Sequence, residues 1–96
     1  MMRMHNPPHP GEFIREIYLA PLGISYSMVA EKLKVAPSTF NRLVKGQSSA
    51  SSEIALRLSK TLGRSPESWL IMQNNYKLWQ AKKTLDLEEV ETLAFV

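Results

Sequence analysis

Between Ala30 and Gly46 the chain reads AEKLKVAPSTFNRLVKG, and Pro37 fixes how that stretch can fold. A proline lacks the N–H that a helix interior needs, but it is tolerated at a first helical position. A break therefore falls just before Pro37, and Gly46 supplies the next stop. Two short helices joined by so tight a corner must cross closely. Close crossing needs a small residue on the first helix, an apolar residue in the corner and apolar residues on the inner face of the second. Ala30, Val35, Phe40 and Leu43 stand at these places, offset by five, ten and thirteen residues from Ala30. The expected motif is a helix-turn-helix, with Phe40, Leu43 and Val44 inward and Ser38, Thr39, Asn41, Arg42 and Lys45 outward.

The flanking sequence supplies helices to pack against this pair. A first helix is expected to start at His9-Pro10-Gly11-Glu12, with Phe13, Ile14, Ile17 and Tyr18 on one face, and to close at Pro21 and Gly23. Ser25 or Ser27 can cap the next, whose inner face is expected to hold Met28, Val29, Ala30 and Leu33. Serines 51 and 52 can cap a fourth, with Ile54, Ala55, Leu58 and Leu62 inward and Gly63 at its end. Ser65-Pro66-Glu67 then opens a long helix to about Lys83, carrying the stripe Trp69, Met72, Tyr76 and Trp79. No strand pattern occurs. The expectation is an all-α, five-helix bundle over residues 9–85, preceded by an arm over 1–8 and followed by a short acidic helix or tail over 86–96.

Charge separates along the chain in the same way. All 12 Lys and Arg precede Leu85, whereas Asp86, Glu88, Glu89 and Glu91 crowd the C-terminal end. Between residues 32 and 64 seven cations (Lys32, Lys34, Arg42, Lys45, Arg57, Lys60 and Arg64) face one acid, Glu53. A basic body suits a polyanion. The N-terminal end of the second motif helix then offers Ser38, Thr39 and Asn41 to base edges or phosphates of double-stranded DNA. If about six cations neutralise phosphates, affinity should fall about a thousandfold from 50 to 200 mM salt. The competing reading of the same residues is a helical domain with a solvated basic face.

Other chemistry has little support. The chain has no cysteine and two histidines, His5 and His9, with no third ligand nearby, so neither a metal centre nor a cofactor is expected. Glu12 with Arg15 or Glu16 is more simply helix-start chemistry than an acid–base pair, so no catalytic residue is assigned. The longest apolar run, Ile17 to Ile24, is interrupted by Pro21 and is too short to span a bilayer. A non-enzyme in a reducing cytoplasm is the expectation.

Residues 30–46 resemble the helix-turn-helix of Cro/repressor-type (XRE-like) proteins. Together with HPGE at 9–12, EIALRLSKTLG at 53–63, SPESWL at 65–70 and the Gln73…Tyr76…Leu78-Trp79 run, the chain is similar to HigA/VapI-type antitoxins over about residues 7–85. That resemblance implies a dimeric operator-binding repressor that controls its own operon and neutralises a RelE-like ribonuclease toxin. It places DNA contacts on Pro37, Ser38, Thr39, Asn41 and Arg42. Lys45, Tyr26 and Lys34 complete the expected DNA-facing set. Tyr26 stands where the family commonly has a glutamine, and Lys34 where the corner is usually glycine, so a non-glycine residue at positive φ is expected. Ala36 replaces a capping serine.

One recognition helix reads only a few base pairs, so specificity requires two, held about 34 Å apart in a dimer. Trp69, Met72, Tyr76 and Trp79 are the expected dimerisation stripe, against the alternative that they close the protomer's own core. The acidic tail suits a basic toxin, against the alternative of a solvated end. A stand-alone or phage-type regulator without a toxin remains the second functional class.

Overall fold

The computed structural model describes residues 7–94. Most of the expected arm, including Arg3 and His5, lies outside the described residues, while Pro7 is buried against the body. Helix α1 is a single rod made of an α-helical stretch Pro10–Ile14, a π-helical stretch Arg15–Leu19 and a last turn Ala20–Leu22. The widened turn has a sequence cause. Pro21 cannot donate, and its ring would strike the carbonyl four residues back, so a continuing helix needs its register relaxed there. Ala20 N–H accordingly reaches five residues back to the Arg15 carbonyl. The helix thus runs through Pro21 and stops at Gly23, at φ 64°.

Helix α2 spans Tyr26–Leu33, capped by the Ser25 hydroxyl, which accepts from Met28 N–H at 3.2 Å. Val29, Ala30 and Leu33 face inward, but Met28 is 51% exposed, which corrects its expected place on the inner face. The buried trio already fills the face at i, i+1 and i+4, and Met28 precedes it by one residue, about 100° round the helix. Lys34 then adopts the left-handed conformation at φ 62°, and its N–H returns to the Ala30 and Glu31 carbonyls. The corner is therefore built as expected, with lysine occupying the glycine-favouring position.

Helix α3 spans Pro37–Val44; Ala36 precedes it in extended conformation without a side-chain cap. Gly46 at φ 76° ends it, with Gly46 N–H on the Leu43 carbonyl and Gln47 N–H on the Arg42 carbonyl, the paired bonds of a Schellman motif. Helix α4 spans Ser52–Leu62 behind a Ser51 cap. Helix α5 spans Pro66–Thr84 behind a Ser65 cap. Helices α1 and α2 both pack on α3, α2 also meets α4, and α5 closes the bundle against α4 and α1. Ile14, Phe40, Leu58 and Trp69 are the large residues at its centre.

The all-α bundle agrees with the sequence reading, but the extra acidic helix does not form. After Leu85 the described tail holds only a turn, with Asp86 Oδ1 accepting from Glu88 N–H and Val90 N–H reaching Leu87 O. Leu87, Val90 and Leu93 stay exposed, so no apolar face is buried to stabilise it. Helices this short are marginal without tertiary packing.

Candidate nucleic-acid interface

The surface of interest is set by what α3 buries. Phe40, Leu43 and Val44 are all at most 3% exposed, which turns Pro37, Ser38, Asn41, Arg42 and Lys45 outward, with Thr39 half-buried at the edge. Tyr26, in the first turn of α2, packs edge-on against Phe40 with ring centroids 6.2 Å apart and remains partly exposed. Lys34 sits at the exposed corner. These eight residues lie on α3 and at its C-cap Lys45, on the first turn of α2 and in the corner that joins the two helices.

Among the described residues the ion pairs are Arg15–Glu16 and Arg57–Glu53. Lys32, Lys34, Arg42, Lys45 and Lys60 thus face no described carboxylate within 4.0 Å. Arg57 has another task than the phosphate contact first expected of it. Its guanidinium donates to the Leu33 carbonyl at 2.8 Å and to the Lys34 carbonyl at 3.3 Å while pairing with Glu53 at 2.9 Å. It fastens the C-terminal end of α2 to α4. Arg64 lies over the Phe13 ring at 4.9 Å and the Trp69 ring at 5.7 Å, an attractive use of its charge against the ring faces.

Two further residues determine where α3 sits. Gly11 in α1 meets the backbone of α3: a Cβ there would overlap the Leu43 carbonyl oxygen and lie 2.7 Å from Val44 Cα. His9, buried at the head of α1, accepts Gly11 N–H on Nδ1 at 2.8 Å and faces the Ser48 carbonyl with Nε2 at 2.9 Å. Both bonds require the neutral ring protonated on Nε2. Desolvation lowers its pKa below the usual 6.5, against smaller opposing effects of the Ser48 bond and the Glu12 charge. From sequence HPGE reads as a helix start and as part of the family resemblance; the histidine bridge and the glycine contact are tertiary and invisible in local spacing.

The α5 stripe divides. Trp69 is 0% exposed, its indole N–H donates to the Gly63 carbonyl at 3.0 Å, and its ring meets Phe13 edge-on. It belongs to the protomer's own core, which corrects its assignment to a dimer interface. Met72 is half-buried against that core. Tyr76 lies edge-on to His9 at 5.0 Å and beside Trp79 at 6.0 Å. Leu78 and Ile71 stay more than half exposed on the same helix. Gln73, inside the stripe, is buried, and its Oε1 accepts Ala50 N–H at 2.7 Å.

Residues 14–69 match the family model described as helix-turn-helix. The chain is 39% identical over 92 residues to the HTH-type transcriptional regulator YddM of Escherichia coli K12, covering 96% of this chain and 97% of that one. Its fold is similar to that of antitoxin GraA, at TM-score 0.86 and 35% identity, covering 92% of this chain and 98% of the other. It is also similar to the Pseudomonas aeruginosa antitoxin HigA solved with the higBA promoter. There the TM-score is 0.81 and the identity 32%, over 93% of this chain and all of the neighbour.

Proposed function

This chain belongs to the helix-turn-helix family, and on that premise we propose that it is a dimeric, sequence-specific operator-binding antitoxin of the cytoplasm. In this reading it represses its own operon and neutralises a RelE-like ribonuclease toxin. The observation that carries the DNA part is the division of α3, with three apolar side chains locked inward and Ser38, Asn41, Arg42 and Lys45 free outward. Asn41 suits adenine and Arg42 suits guanine or a phosphate. The likeness to antitoxins GraA and HigA, the latter solved with promoter DNA, supports the same assignment.

Residues 9–85 would provide both DNA binding and pairing. With Trp69 internal, the dimer contact falls to Trp79, Tyr76 and Met72 together with exposed Ile71 and Leu78. Their clustering within residues 71–79 of a 19-residue helix supports this. The exposed acidic tail offers a basic toxin an electrostatic partner. Removing Arg57 and Arg64 from the phosphate-facing set leaves five cations, so affinity should fall several hundredfold between 50 and 200 mM salt.

The test is a titration of the protein's own promoter duplex and a shuffled duplex with wild type and Arg42→Ala across salt. Loss of preference for the promoter in the variant makes Arg42 a base reader, and equal weakening on both makes it a phosphate contact. Binding that ignores salt and sequence would reject the reading. Co-expression with the adjacent reading frame tests the toxin: a basic partner that copurifies supports it, and its absence leaves a regulator alone.

A further inference from the structure

His9 joins three separate parts of the fold through one ring. It caps α1 through Gly11 N–H, it holds the Ser48 carbonyl in the loop that follows α3, and its ring stands perpendicular to the Tyr76 ring of α5 with centroids 5.0 Å apart. Gly46, which ends α3, lies 3.8 Å from the same ring if given a Cβ. The residue it caps, Gly11, is the one whose backbone rests on Leu43 and Val44. Each ring nitrogen thus acts on the C-terminal end of α3, one through the α1 contact and one through the loop.

We infer that His9 is a positioning residue for DNA recognition, fixing the set of α3 by tying its end loop to α1 and α5. The inference rests on α3 being the DNA-facing helix. Because the bridge needs a neutral ring, it also makes operator affinity sensitive to mild acid. A proton on Nδ1 would confront the Gly11 N–H and abolish the cap. The charged and titratable groups around the ring are Glu12 and Arg15 of α1, Lys45 after α3 and Tyr76 of α5, which line the same small cavity. Glu12 favours the protonated ring, whereas the cations Arg15 and Lys45 disfavour it.

Two substitutions separate the two nitrogens. In His9→Asn the side-chain oxygen takes the place of Nδ1 and keeps the cap, but the side chain cannot reach Ser48. In His9→Gln the longer amide donates to Ser48 and gives up the cap geometry. Amide hydrogen exchange on the free protein is expected to rise about tenfold at residues 46–49 in His9→Asn, the loss of one hydrogen bond. His9→Gln should leave it near wild type, and amides of α4 should be unchanged in both. On the promoter duplex, wild type should bind more weakly at pH 5.5 than at pH 7.5, by less than about tenfold because the His9 pKa lies below 6.5. His9→Asn should be weak and flat with pH, and His9→Gln tighter and flat. The inference is overturned if the loop exchanges alike in all three proteins, if both variants loosen it equally, or if His9→Asn keeps the wild-type pH response. Should wild type show no preference for the promoter, the DNA reading fails, and the exchange experiment still decides the role of His9.

Discussion

The side-chain oxygen of Gln73, in the middle of α5, accepts the backbone N–H of Ala50 at 2.7 Å, and both residues are buried. This bond satisfies the loop before α4 from a helix that follows it in sequence. Gln73→Leu would keep the volume and leave the Ala50 N–H without a partner. Such a change should cost about 1–3 kcal/mol, read as a lower urea midpoint with unchanged slope. Gln73→Leu with unaltered stability would mean that water replaces the bond.

Gly11 faces a harder limit, since any Cβ would enter the α3 backbone. Backbone cannot swing aside as a side-chain tip can. Gly11→Ala should destabilise the fold by about 3 kcal/mol, the upper end of overpacking costs. Thermal unfolding by circular dichroism checks this, and a variant that melts with wild type would place α1 further from α3 than described.

Ala36 leaves the first N–H groups of α3 without a side-chain acceptor, although its extended backbone already has capping geometry. Ala36→Ser should therefore add about 1 kcal/mol of stability. The gain should show as a raised melting temperature, with no change elsewhere in the bundle.

Arg57 and Lys45 predict opposite phenotypes. Arg57→Ala removes bonds to the Leu33 and Lys34 carbonyls and should cost about 1–2 kcal/mol of stability. Its salt slope on DNA should match wild type. Lys45→Ala should leave stability within about 0.5 kcal/mol and reduce the slope by about 1. Exchange of these two outcomes would return Arg57 to the phosphate-facing set.

Stability should also depend on His9. Its folded pKa lies below 6.5, so in mild acid the unfolded chain binds more protons than the folded one. The contribution is fully present above pH 6.5 and is lost as pH falls through the lower folded value. Unfolding midpoints should therefore drop between pH 7 and the folded value in wild type, and much less in His9→Asn.

The motif helices were legible because their determinants are local: a proline at a first position, a glycine stop, and apolar residues at helical spacing. Phe40, Leu43 and Val44 could be placed inward from sequence alone, and so the outward set followed. Met28 could not, because adjacent apolar residues leave the helical phase open by one position. Gln73 carried an unread signal: four residues after Trp69 and between Met72 and Tyr76, it is a polar residue at an inward phase. A polar residue there needs a partner, but only the fold could name Ala50. The acidic tail shows the converse, since a correct helical period is insufficient without a surface to cover it.

The two tryptophans of α5 occupy different surroundings. Trp69 is sealed in the core with its N–H bound to Gly63, whereas Trp79 is partly open with the Lys83 ammonium 4.3 Å above its ring. One therefore emits from an apolar site and the other from a wet, charged one. A single emission spectrum then carries two optical channels, a blue component that follows unfolding and a red component that follows whatever comes to cover the end of α5.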